Sequence, residues 1–480
     1  MRQFFTLKTV CLFCMFFMSN AYGQDWPMVN CDKGRTSWAQ AETVLDPPLI
    51  RKTDYVLGSG IANAVSCCNH ILFVSIEDDS TTVAAFDTEI GDELWRFTVP
   101  EAVAAVNVTP AANDSLVFCG GQNGLGLHVV DVSIGDEIWF KGIGDLYAKS
   151  PVLEGDRLYV VGDSLFCLEI KDGTTIWSYP CERPVTPAVD EEKVYLCGDY
   201  KLIAFNKTNG IIDWQMENSQ RSYTTILVDE DYVYTCNNDS ILALDKESGS
   251  TFWSFKIPDG SIPQLVSNAI AVCDSFLCFS IWEDSNEKGN LYTLEKYTGQ
   301  YLWHFTFDSK GVYSPTIANG IVYCVQWRTK SVNGFDLKTG EQVFYDDSEQ
   351  YIGQAIVADH TLYVGAYGKI AAFETLNSGV YSTASEPVTS FDCSVNWPNP
   401  FNQSTRFRFQ LAQSGFLDIA VYNLRGERVK TLASGNFKAG SHVLIWDGTD
   451  HNDQVSASGI YVLNIIGKDV IKSVKMVMLK

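Results

Sequence analysis

Positive charge is scarce in this sequence: 35 Lys and Arg stand against 58 Asp and Glu, for a net charge of −23. Such a chain repels nucleic-acid phosphates and anionic lipid, so neither is an expected partner. No long apolar run follows Met18, so no membrane insertion is expected. Catalytic patterns are thin as well. The six histidines, at 70, 128, 304, 360, 442 and 451, are scattered with no metal-ligand spacing. There is no Gly-x-Ser-x-Gly elbow, and outside the N-terminal apolar run no Cys-x-x-Cys pair. The glycine-rich GGQNGLG, Gly120 to Gly126, precedes no helix, and helix amides are what phosphate sites use. No long amphipathic helix can be traced, which excludes most α and α/β folds.

Among what is present, the N-terminus reads as an export signal (1–23). Arg2 and Lys8 precede the apolar VCLFCMFFM, Val10 to Met18, which is too short to span a bilayer as a helix. Small residues at Ala21 and Gly23 place cleavage between Gly23 and Gln24. Neither Cys11 nor Cys14 follows a lipobox, so no lipid anchor is expected. Export permits disulfides among the twelve remaining cysteines.

The sequence then repeats itself. An acidic or amide residue, a glycine four later and a tryptophan four after that recur at Asp87-Gly91-Trp95, Asp131-Gly135-Trp139, Glu169-Gly173-Trp177, Asn206-Gly210-Trp214, Asp245-Gly249-Trp253 and Glu295-Gly299-Trp303. A seventh copy, Asp336-Gly340, ends in Phe344. The tryptophans lie 37 to 50 residues apart, room for four short strands. Alternating strands such as RLYVVG (Arg157 to Gly162) and KVYLCG (Lys193 to Gly198) precede the motifs. The glycine permits a left-handed turn, the acid bonds turn amides, and the tryptophan is a plate for packing one sheet on the next. Four-stranded units about an axis make a β-propeller. Seven copies give seven units. Tyr351 to Glu374 supplies three more strands, and Leu49 to Leu57 an orphan outer strand, so joining them closes an eighth blade with both ends of the ring. The fold class is therefore all-β: an eight-bladed propeller (24–375), a Ser/Thr-rich linker (376–390) and a small Ig-like β-sandwich (391–480). The sandwich region carries ten Lys and Arg against seven Asp and Glu, so the negative charge lies in the propeller.

The pattern Ala-x-Asp-x-x-x-Gly-x-x-x-Trp, as in ALDKESGSTFW (Ala243 to Trp253), resembles the tryptophan-docking repeat of pyrroloquinoline-quinone-type propellers. The opening DWPMVNCDKGRTSW (Asp25 to Trp38) resembles their entry segment. WPNPFNQSTRFRFQL onward from Trp397, with IWDGTD and the closing KMVMLK, resembles the Ig-like sorting domain of type IX secretion substrates and its kin in flagellar hook-capping proteins. That resemblance implies secretion machinery as a partner and a location outside the cell or on its outer surface, reached through the periplasm.

The repeat is a packing device and carries no reaction chemistry. The reading is a non-catalytic recognition scaffold for an unknown protein or glycan ligand, with no cofactor. One alternative is a quinone-dependent alcohol or sugar dehydrogenase, which the resemblance would supply with pyrroloquinoline quinone, calcium and the adjacent Cys67-Cys68 as a ring against the cofactor. Another is an outer-membrane assembly scaffold. Cys119, Cys197, Cys236 and Cys324 fall at or near one strand position and read as small buried residues. Asp229-Glu230-Asp231 has counterparts at Asp190-Glu191-Glu192 and Glu154-Gly155-Asp156, so it reads as a hairpin turn and not a calcium loop. Two longer loops, Ile281 to Asn290 and Gln326 to Asn333, would bring Trp282, Trp327 and Arg328 to one face of the ring as a recognition patch.

Overall fold

The computed structural model describes residues 25–376 and 392–479, apart from 78–79, 103–107, 124–125, 147–148, 183, 199, 218–225, 238–239, 259–269, 284–287, 394–400, 403, 412–413, 439, 453 and 468–470. The expected cleavage at Gly23–Gln24 and nearly all of the linker lie outside these residues. Among the described residues no α-helix occurs, and no helix is long and apolar enough to cross a membrane.

Each repeat unit folds as one antiparallel sheet whose strands pair in sequence order. The unit Ala188–Val189, Lys193–Gly198, Lys201–Asn206, Ile212–Glu217 is typical, and four further sheets of the repeat region have the same form. Strand chemistry sets the layering. In Lys201–Asn206 the inner residues are buried on both sides, whereas in Thr251–Lys256 exposed and buried residues alternate around Trp253. Third strands are thus sandwiched between neighbouring sheets, and fourth strands form the rim.

Two sheets depart from this form. The sheet Thr316–Ala318, Ile321–Gln326, Ser331–Asp336, Gln342–Asp346 gains Trp38–Ala39 as a parallel fifth strand. The other has six strands, in the order Ile356–Ala358, Thr361–Thr375, Leu49–Cys68, Ile71–Glu77, Thr81–Asp87, Glu93–Thr98. Its two long strands join the ends of the repeat region: Leu49 to Val56 pair antiparallel with Lys369 to Thr375. The register then jumps between Val56 and Ile61, and Ile61 to Cys68 pair with Ile71 to Glu77 instead. The expected joining of an early outer strand to the late strands is therefore present.

Neighbouring sheets are joined by the repeat motif. Trp95, Trp139, Trp177, Trp214, Trp253 and Trp303 each lie against the motif glycine of the following unit, where an added Cβ would sit 2.5–2.8 Å from the ring. Five of the indoles also donate to a backbone carbonyl of that unit, for example Trp214 Nε1 to Lys246 O at 2.8 Å and Trp253 Nε1 to Lys296 O at 2.9 Å. The glycine thus does two things, only one of which the sequence suggested. It adopts positive φ (+70° at Gly249), and it leaves room for the neighbour's ring. The motif acids bond turn amides as expected: Asp87 Oδ1 accepts from Glu89 and Ile90.

In the C-terminal region a three-stranded sheet (Asp392–Cys393, Thr405–Leu411, Gly440–Trp446) and a four-stranded sheet (Arg428–Phe437, Gly415–Asn423, Gly459–Gly467, Ile471–Met478) share a core that includes Phe407, Phe409, Ile419, Trp446, Leu463 and Met476. Alternation in TRFRFQL buries Phe407, Phe409 and Leu411.

Candidate recognition face

The strand order divides the hairpins between two faces of the ring. The first-to-second strand hairpins and the motif turns share one face, joined by bonds such as Thr88 N to His70 O and Lys207 N to Glu192 O. The second-to-third strand hairpins lie on the other.

The first face is laced shut. The segment Trp26 to Ala39 bonds to the first strands of six sheets: Trp26 with Cys67, Pro27 O with Ala112 N, Lys33 O with Val189 N, Gly34 O with Val228 N, Thr36 O with Val272 N and Ser37 O with Ile317 N. Asn30, Cys31, Arg35 and Ser37 all have positive φ, which bends the segment around the axis. Arg35 is buried and donates from Nη1 to Thr186 O at 2.6 Å. Burial pushes its pKa down, and Asp32 opposes that.

The hairpins of this face are clamped by lysines from the next unit. Lys207 pairs with Glu154 at 2.8 Å, Lys246 with Asp190 at 3.3 Å, and Lys296 with both Asp229 and Asp231 at 2.8 Å. Asp229 Oδ1 also accepts the amides of Asp231 and Tyr232. The acidic triplet is thus a braced turn. Burial acts to lower the Lys296 pKa, but its two carboxylates outweigh this and raise it. Burial would raise Asp190, yet the amides of Glu192 and Lys193, the Tyr195 hydroxyl and Lys246 carry it below the ordinary value. A cleft of about 390 Å³ between Trp38, Lys33 and these hairpins is lined by the same paired charges.

Cys67 and Cys68 do not form a joint surface. Adjacent residues of a strand point to opposite faces. Cys67 packs with Tyr55, Tyr363 and Trp26, and Cys68 packs in a different core with Trp95 and Val117. Burial raises both thiol pKa values. Among the described residues no three His, Cys, Asp or Glu side chains converge as a metal requires. The Cys67-Cys68 pair therefore does not offer the adjacent-cysteine ring that the repeat resemblance implied. The other strand cysteines resolve into two positions. Cys119 and Cys324 pack toward the preceding sheet, Cys197 and Cys236 toward the following one. All four are buried.

On the second face Trp327 is 40% exposed, and Arg328 lies beside it with Cζ 5.8 Å from the ring centroid. The turn beneath is built by Gln326, which is fully buried. Its Nε2 donates to Ser309 O and Oγ at 2.7 Å, and its Oε1 accepts from the Thr329 amide and hydroxyl. Trp327 N donates to Gly311 O at 2.6 Å, and its side chain rests on Gly311. Trp282 lies in the strand Phe276–Glu283 opposite Gly289, and Gly289 N bonds to Ser309 O. Both hairpins therefore abut the 309–311 loop; the Trp282 side chain lies outside what is described. The expected loop Ile281 to Asn290 is mostly strand: Phe276–Glu283 and Lys288–Glu295 each have eight residues, so the hairpin is lengthened and the loop is not. Sequence reasoning missed two neighbours. Lys330 Nζ lies 5.5 Å from the ring centroids of both Trp327 and Tyr367, and Tyr367 is 47% exposed. Tyr367 belongs to a different sheet, and only the ring's order brings it near.

Comparison with solved structures agrees on the fold. BamB from Moraxella catarrhalis is 17% identical, with a TM-score of 0.55, covering 68% of this chain and 99% of that one. The quinohemoprotein alcohol dehydrogenase from Comamonas testosteroni is 12% identical, with a TM-score of 0.58, covering 76% and 84%. Sqt1 from Saccharomyces cerevisiae is 10% identical, with a TM-score of 0.54, covering 68% and 99%. Identities this low carry the fold alone. No curated protein matches the sequence significantly. Residues 396–469 match the FlgD Ig-like domain. Residues 28–142, 127–238 and 237–390 match the repeat family described as outer membrane protein assembly factor BamB, and this chain belongs to that family.

Proposed function

We propose that the chain is an exported, non-catalytic recognition scaffold: an eight-bladed ring (24–375) delivered outside the cytoplasm and carried to the cell surface or medium by its C-terminal domain (391–480). The observation that carries the non-catalytic reading is the separation of Cys67 and Cys68 into different cores beneath a laced entry segment. The blade count rests on the six-stranded sheet, which bends at Gly58 to Gly60 and at Tyr367–Gly368 and so divides into two blades. Extracytoplasmic location is supported by the N-terminal apolar run and by a family described as an outer membrane assembly factor. Sorting through the tail rests on its Ig-like match and on the closing Lys475-Met476-Val477, of which Met476 is a core residue.

The family description favours a second reading, a partner-organising scaffold at the outer membrane; the Ig-like tail behind the propeller favours release or surface display. The test is thermal melting of the mature protein with pyrroloquinoline quinone and calcium, since a ligand that binds only the folded state raises its stability. No saturable rise is expected. A saturable rise, with dye reduction on adding alcohols or sugars, would replace this reading with the dehydrogenase.

A further inference from the structure

In a chain so rich in acid, partly buried lysines are normally neutralised from within. Lys33, Lys193, Lys207, Lys246, Lys296 and Lys369 each have a carboxylate at 2.6–3.3 Å, and Lys149 donates to the carbonyls of Asp145 and Gly162. Lys330 is different. Among the described residues no carboxylate reaches it, and burial alone acts on its pKa, lowering it. It sits instead near two exposed aromatic rings, each 5.5 Å away, with Arg328 Cζ 5.8 Å from the Trp327 ring. The left-handed backbone at Lys330 (φ 58°) and the buried Gln326 fix this turn before any ligand arrives. Tyr351 N also bonds to Lys330 O, tying the turn to the neighbouring sheet.

Each part points to the same ligand chemistry. Exposed indole and phenol faces carry negative π density, and the polarised C–H bonds of a pyranose ring pack against such faces. A cation that lacks its own acid gains by pairing with one that is brought to it. We propose that Trp327, Lys330, Tyr367 and Arg328 bind a carboxylate-bearing polysaccharide, stacking a uronic acid ring on the aromatics and pairing its carboxylate with Lys330. The size of the patch favours a glycan over a folded acidic protein. A stable protein interface needs about 800 Å² on each side, much more than one turn and its neighbour offer.

The assignment rests on the recognition-scaffold reading, and the experiment separates the two. Tryptophan fluorescence of the full mature chain is titrated with a galacturonate oligomer, its methyl-esterified form and neutral dextran. Saturable binding of the free acid is expected. Esterification, or Lys330→Gln, should weaken it roughly tenfold, and Trp327→Ala should abolish it while the melting temperature holds. Tyr367→Ala provides a second stacking variant should Trp327→Ala disturb the fold. Absence of galacturonate binding, equal binding of the ester, or binding indifferent to Trp327 and Tyr367 would overturn the ligand assignment. The scaffold reading would stand through any of these unless the quinone test also came out positive. Binding of an acidic protein at this patch, with no binding of the oligomer, would likewise reject the glycan.

Discussion

The two faces of the ring use the same residue types to opposite ends. On the laced face Lys207, Lys246 and Lys296 meet carboxylates of the neighbouring hairpins, six tryptophans lie on motif glycines, and the entry segment bonds to six sheets. On the other face one tryptophan stands 40% exposed above a glycine, and the lysine beside it lies near two aromatic rings with no carboxylate partner among the described residues. The lesson concerns how a repeat fold separates stability from recognition. Interactions that recur in register hold units together, and a departure from register at one hairpin is free to meet a ligand.

The comparison breaks first at the docking glycines. Gly249→Val would place a Cβ 2.6 Å from Trp214 at a φ of +70°, so a loss of about 3 kcal/mol or more is expected in urea unfolding. A loss below ~1 kcal/mol would show that the tryptophan shelf is not a main joint. Next comes Lys296→Met, which leaves the mostly buried Asp229 without its cation. About 2 kcal/mol should be lost, and a further Asp229→Asn change should recover part of it. A third test uses pH. The hydrogen bond to Asp359 raises the His70 pKa, against burial. Its stabilisation is therefore present below the unfolded value and is lost as pH rises through the folded one. His70→Asn should lower the melting temperature near pH 5.5 and change little near pH 9, with an effect under ~1 kcal/mol because the side chain is 41% exposed. Smallest of all, Trp327→Ala should alter stability by less than ~1 kcal/mol, as expected of a residue kept exposed for another purpose.

Much of the fold was legible because the spacing of Asp, Gly and Trp dictates it. An acid that caps a turn and a tryptophan opening the next strand describe one joint, and repetition makes a ring. The role of Gly249 as a shelf was hidden, because it depends on Trp214 of the preceding unit. The Cys67-Cys68 pair looked like chemistry in one dimension; strand alternation sends the thiols into separate cores. At the candidate patch the sequence yielded Trp327 and Arg328 from a connection longer than those of most other units. It could not yield Tyr367, forty residues on, which the order of the sheets alone brings beside Lys330. Nor could it distinguish a lengthened hairpin from a longer loop at Ile281 to Asn290, because strand pairing continues through polar residues there.

The central claim is that one face is sealed by the entry segment as part of the folded core. Hydrogen–deuterium exchange of the full chain tests it at the amides of Val189, Val228, Val272 and Ile317, which bond to the carbonyls of Lys33, Gly34, Thr36 and Ser37. Protection equal to that of the central strands is predicted, lost only on global unfolding. Exchange of these four amides at the rate of surface turns would contradict the claim.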